Sequence, residues 1–170
     1  PTDPLKAVPG VCGCWHPESS ADVDTDGTPD CAGLFGAFDS YGAGAAPYSV
    51  TLADLDGNGT LELITTTFGT PEVFVRRGFA DGTFAGTPLR LGSGVGALDV
   101  TTADLNGDGA LDLLTANPAS PGYVGVWLGN GDRTFGARTD VVMGQQPAYV
   151  IAPDLDGDGD LDLVTANRNS

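Results

Sequence analysis

Three short segments carry oxygen-bearing side chains at one shared spacing. Counted from the first Asp of each, positions 1, 3, 5 and 9 are Asp54, Asp56, Asn58 and Glu62; Asp104, Asn106, Asp108 and Asp112; and Asp154, Asp156, Asp158 and Asp162. Positions 4 and 6 are Gly in all three. Gly accepts positive φ, so alternate side chains on such a tight turn can converge on one centre. The backbone carbonyl of position 7 (Thr60, Ala110 or Asp160) can join them, and the position-9 carboxylate returns from the following strand. A flexible all-oxygen shell with several carboxylates suits Ca2+, at about 2.3–2.6 Å per ligand. Without a cation such crowding is costly, because like charges repel and raise each other's pKa. Neither Cys nor His lies near these loops, which disfavours zinc and copper there. Three Ca2+ sites are therefore expected. Their affinity should rise from the Glu62 loop through the Asp112 loop to the Asp162 loop, following ligand charges of −3, −3 and −4 and side-chain fit.

Other readings of these loops are weaker. A single Asp-Gly turn is often only a hairpin loop, but three copies with the same oxygen positions ask for more. An EF-hand needs a Glu at position 12 and flanking helices. Position 12 is Thr65, Thr115 and Thr165, and strand-like alternation flanks each loop. Asn58-Gly59-Thr60 is a formal glycosylation sequon, but Asn58 is wanted as a ligand. A fourth segment, Asp22, Asp24, Asp26 and Asp30 with Thr28 at position 7, offers the same pattern out of phase with the rest. There a thrombospondin type-3-like Ca2+ loop and a solvated acidic linker both stand. Cys12, Cys14 and Cys31 are an odd number: either one pair brackets this Asp loop, leaving a thiol over, or the three join His16 around zinc. Motifs of hydrolases, P-loop proteins and zinc peptidases are missing from the sequence, and the one His lies outside the repeats, so no catalytic constellation is expected. Among the aromatics, Trp15, Trp127 and Tyr123 are candidates to stack on sugars, with packing the preferred role for Trp127.

The loops imply the elements that hold them. Asp54, Asp104 and Asp154 are spaced by 50 residues, and looser matches, such as Asp81-Gly-Thr-Phe84 with Asp132-Arg-Thr-Phe135, fill out the unit. Each unit reads as four short strands. The first is near Tyr48–Asp54 and its equivalents, the second near Leu61–Thr67, the third around Val73 and Val75, and the fourth after each Thr-Phe pair. Alternation at Leu61 and Leu63, Leu111 and Leu113, and Leu161 and Leu163 is the pattern of half-buried strands. The fold class is thus all-β: four-stranded antiparallel propeller blades forming an incomplete β-propeller. Residues 1–31 read as a Cys-containing linker, 32–46 as the outer strand of a preceding blade, 47–96 and 97–146 as blades, and 147–170 as the first half of another. The rest of the ring is expected from further sequence or from self-association. The Pro1 start suggests a mature or excised piece of a longer protein.

Composition agrees. Gly (26) and Pro (12) are abundant among 170 residues, while long helix-favouring side chains are scarce. Acidic residues number 23 against 7 basic, for a net charge of −16, and ten of those acids occupy the liganding positions of the three loops. A chain so charged repels nucleic acid and anionic membranes, and no apolar run approaches the roughly 18 residues that span a bilayer.

The D-x-[DN]-G-[DN]-G-x-L-[DE]-L loops on a 50-residue step, with Gly129-Asn-Gly-Asp-Arg-Thr-Phe135, resemble FG-GAP/VCBS repeats, the blades of integrin-α-type propellers. The resemblance covers roughly residues 32–170. It implies Ca2+ in the hairpin between a blade's first two strands, with a structural role, and partner binding elsewhere on the ring. Two departures stand out. Glu62 replaces the usual Asp, and the Phe-Gly…Gly-Ala-Pro pattern is partial, as Phe35-Gly36 with Ala45-Ala46-Pro47. A bacterial-style secreted repeat protein is therefore the better likeness. The expectation is a non-catalytic, calcium-binding module, secreted or on the cell surface, serving adhesion or recognition of a protein or glycan. The alternative is the accessory propeller of a secreted polysaccharide-active enzyme with its catalytic domain elsewhere.

Overall fold

The computed structural model describes residues 39–168. Contacts divide the chain after Ser40, and the unit beginning at Tyr41 carries every described strand. The Asp22–Asp30 loop, Trp15, His16 and the three cysteines lie outside the described residues, as do residues 32–38 of the outer strand expected over 32–46; residues 39–46 carry no strand.

The described residues are all-β. The first sheet joins β1 (Pro47–Ala53), β2 (Glu62–Thr67), β3 (Glu72–Arg76) and β4 (Leu89–Gly92) in sequence order, every neighbour antiparallel. The second repeats it with β5 (Asp99–Ala103), β6 (Asp112–Asn117), β7 (Tyr123–Trp127) and β8 (Thr139–Val142). A two-stranded sheet follows, β9 (Pro147–Ile151) with β10 (Val164–Asn167). The register repeats as well: Ala53 pairs with Glu62 and Ala103 with Asp112, which sets each Asp-rich loop between a blade's first two strands. Pro47 and Pro147 open their strands, where the missing N–H leaves the inner ladder intact. The arrangement is that of propeller blades in an open, unclosed set.

The core lies between blades rather than within one. Ile64, Val73 and Val75 of the first blade pack with Val100, Leu113 and Trp127 of the second. On the other side Leu114, Ala116, Val124 and Val126 pack against Val150 of β9. Adjacent residues Leu113 and Leu114 thus serve two different interfaces, as the two-residue period of a strand requires. This is why β6 is buried along its whole length while β1 alternates. Burial of each such Leu contributes about 1.5–3 kcal/mol.

Polar stitching follows the same path. Asp99 at the start of β5 accepts the Ser49 hydroxyl at 2.9 Å and the Val150 amide at 3.1 Å, so one carboxylate touches the first strand of all three units. Buried Asn117 donates from Nδ2 to the carbonyls of Ser93 (3.1 Å) and Val95 (3.2 Å), holding the link between blades.

Candidate metal centre

Each Asp-rich loop is built on two glycines in the left-handed region: φ is 68° and 84° at Gly57 and Gly59, 71° and 86° at Gly107 and Gly109, and 80° and 95° at Gly157 and Gly159. Gly enters that region with no Cβ to clash, so the sequence Gly-x-Gly turns the chain about the first Asp. That Asp receives the loop's own amides. Asp54 accepts from Asn58 N (3.1 Å) and Gly59 N (2.8 Å), Asp104 from Asp108 N (3.1 Å) and Gly109 N (2.9 Å), and Asp154 from Gly157 N (2.7 Å) and Gly159 N (3.1 Å).

Position 5 repeats the device on a smaller scale. Asn58 accepts the Thr60 amide at 2.8 Å and the Thr60 hydroxyl at 2.5 Å, Asp108 accepts the Ala110 amide at 2.8 Å, and Asp158 accepts the Asp160 amide at 2.9 Å. Bonds to the ionised form hold two of these carboxyls below the usual range. For Asp54 the Gly59 amide is the largest cause, partly opposed by desolvation. For Asp108 it is the Ala110 amide, followed by the Asn106 carboxamide. The loops are therefore folded around anions.

Position 9 does something the sequence did not announce. Glu62 and Asp112 are fully buried, and each clamps two backbone amides. Asp112 accepts Leu105 N and Gly129 N, both at 2.8 Å; Glu62 accepts Leu55 N at 3.0 Å and Gly78 N at 3.4 Å. The second amide comes from the hairpin beyond the blade's third strand. It reaches the carboxylate because the residue is Gly: a Cβ on Gly78 would lie 2.0 Å from the Leu61 carbonyl oxygen, and one on Gly129 2.3 Å from that of Leu111. The longer arm of Glu62 makes the same latch as Asp112, with a looser outer bond. Asp162 is exposed and accepts Leu155 N at 3.0 Å.

The three loops differ in what they gather. Ligand oxygens of Asp154, Asp156 and Asp162 lie within 4.8 Å of one another, as do those of Asp54, Asp56 and Glu62. Either group could hold a metal ion, and an all-oxygen donor set of three carboxylates fits a hard cation such as Ca2+. Asp104, Asp108 and Asp112 do not form such a group among the described residues. There Asn106 turns its Nδ2 to Asp108 at 2.8 Å, so amide and carboxylate satisfy each other. The first loop has a further occupant. Arg133, from the hairpin between β7 and β8, places Nε 3.3 Å from Asp56 and a terminal nitrogen 3.9 Å from Glu62. An open cleft of about 500 Å³ separates the first and second loops, lined by Asp54, Asp56, Asp108, Ala110 and Asn130 among others.

Of the aromatics, Trp127 is buried in the inter-blade core and cannot stack on a sugar. Tyr123 is half-buried, donates to the Ser93 carbonyl at 3.2 Å and lies under Arg138.

The family described as FG-GAP-like repeat matches at residues 54–115 and again at 105–165. Together the matches run over about two thirds of the chain and take in all three loops. Comparison with the curated proteins finds none that matches.

Proposed function

The chain belongs to the FG-GAP-like repeat family, and from that premise we propose that it is a calcium-binding, non-catalytic β-propeller module, secreted or on the cell surface, that serves adhesion or recognition of a protein or glycan. The observation that carries the metal part is the convergence of Asp154, Asp156 and Asp162 within 4.8 Å. These residues, with Asp158 and the Asp160 carbonyl, would hold the ion. Its contribution is charge neutralisation: it removes the repulsion that three neighbouring carboxylates carry. No helix among the described residues is long and apolar enough to cross a membrane.

The partner part rests on an uncovered face. Tyr48, Val50 and Leu52 are exposed along β1, whereas the equivalents of the first two, Leu98 just ahead of β5 with Val100 on it, and Ala148 and Val150 on β9, are buried. A further blade, from more of the same protein or from a second copy, is the occupant whose shape the repeat itself defines. The top and outer surfaces then remain for a protein or glycan.

Scanning calorimetry with Ca2+ and with excess chelator tests the reading. A site held at 100 times its dissociation constant adds about 2.7 kcal/mol, which raises the melting temperature by several degrees. The double substitution Asp154→Asn with Asp156→Asn should abolish most of that rise. Identical melting in chelator and in millimolar Ca2+ would refute a structural calcium role.

A further inference from the structure

Beyond the burial of its position-9 acid, the first loop differs from the third in that a cationic side chain already sits in it. Arg133 belongs to the second blade, yet its guanidinium lies against Asp56 and Glu62 of the first. The contact is carried by an unusual backbone. In the first blade the turn Asp81-Gly82-Thr83-Phe84 has Gly82 at φ 81°. In the second, Asp132-Arg133-Thr134-Phe135 folds the same way. Asp132 accepts Thr134 N at 2.9 Å as Asp81 accepts Thr83 N at 3.0 Å, but the left-handed position is now Arg133, at φ 69°. A long side chain held where its sister repeat uses Gly bears strain, and such strain persists only when surrounding contacts over-determine it.

Those contacts are electrostatic. Arg133 faces Asp56 and the fully buried Glu62, whose ligand oxygens lie within 4.8 Å of one another and of Asp54. The ion pair is close but not saturated. Asp56 Oδ1 and one terminal nitrogen of Arg133 are buried without a hydrogen-bond partner. A small divalent ion bound at about 2.3–2.6 Å to the same oxygens would contest the position the guanidinium holds.

We propose that Arg133 is the resident cation of the Asp54–Glu62 loop, taking the place of a divalent ion there and tying the second blade to the first through its charge. The repeat thereby contains two solutions to one problem: the third loop is left open to a metal, and the first is closed by a side chain. This deepens the calcium reading of the loops, on which it rests, and it sets metal stoichiometry below the number of Asp-rich loops.

The test is a calorimetric Ca2+ titration of the full chain, with circular dichroism to establish folding. In wild type, Asp56→Asn should leave the titration unchanged. Arg133→Gly, which also relieves the positive φ, should take up one more Ca2+ per chain, an affinity gain at this loop of about tenfold or more. Adding Asp56→Asn to it should remove the extra ion. Arg133→Lys keeps the charge and should behave as wild type. Arg133→Gln, closer in size to Arg, should gain the ion as Arg133→Gly does, and it decides the matter if the Gly variant does not fold. Loss of one ion from wild type on Asp56→Asn, or no gain in folded Arg133→Gly and Arg133→Gln, would overturn the proposal. The reading of the third loop is decided separately, by whether Asp154→Asn with Asp156→Asn reduces wild-type uptake.

Discussion

Val50 and Val100 occupy the same place on equivalent strands, one blade apart. Val50 is 64% exposed and Val100 is 4% exposed. Residue, strand and register are alike, so the difference comes from outside the blade. Val100 is covered by Ile64, Val73 and Val75 of the blade before it, as Val150 is covered by Leu114, Val124 and Val126. A blade therefore does not bury its own first strand; its predecessor does. Stability in this architecture belongs to the joints between sheets as much as to the sheets.

The largest test of that contrast is a pair of truncations. Leu114→Ala in the second interface should cost about 3 kcal/mol in urea unfolding, while Val50→Ala should stay within about 0.5 kcal/mol. Equal losses would show that the two faces are covered alike in solution. The position-9 acids sharpen the comparison at a smaller scale. In chelator, Asp112→Ala strands the Leu105 and Gly129 amides in a buried site and should cost about 2 kcal/mol. Asp162→Ala frees one exposed amide and should cost well under half of that. A reversed order would mean that the latch is not what Asp112 contributes.

The smallest effect concerns the two Thr-Phe turns, which face solvent in both blades. The hydroxyl of Thr83, then its amide, holds Asp81 below the usual carboxylate range, and Thr134 does the same for Asp132, with a lesser part from the charge of Arg133. A folded pKa below the unfolded one gives stability that is present above the unfolded value and lost as pH falls through the folded value. Carboxyl titration by NMR should find both groups low, and Thr83→Ala and Thr134→Ala should each raise its partner. Absence of any shift in either wild-type turn would remove the turn bonds as the cause.

Much of this was legible beforehand, because strand alternation and the 50-residue step are local and periodic. Leu61 and Leu63 announced a strand, Gly57 and Gly59 a left-handed turn, and the Thr-Phe pairs a last strand to follow: β4 and β8 come after them, past the isolated Gly78–Phe84 and Gly129–Phe135 bridges. The oxygen spacing marked the loops but not their differences. Asp104, Asp108 and Asp112 read like the other two sets and are not gathered, since Asn106 pairs internally with Asp108. The amide latch at Glu62 and Asp112 was hidden because its second donor lies 16 or 17 residues away. Arg133 left one trace, the replacement of Gly in a turn whose sister copy has Gly82. Its partners lie in another blade, which no local pattern reports.

Asp99 bridges Ser49 and Val150, so it spans two joints rather than one. In a row of units bound only to neighbours, tension applied at the ends opens the weakest junction and leaves the others indifferent. A single carboxylate shared across three successive units couples those junctions: prying one apart withdraws a partner from the next. Mechanical failure here should be concerted, spreading from that acid in both directions.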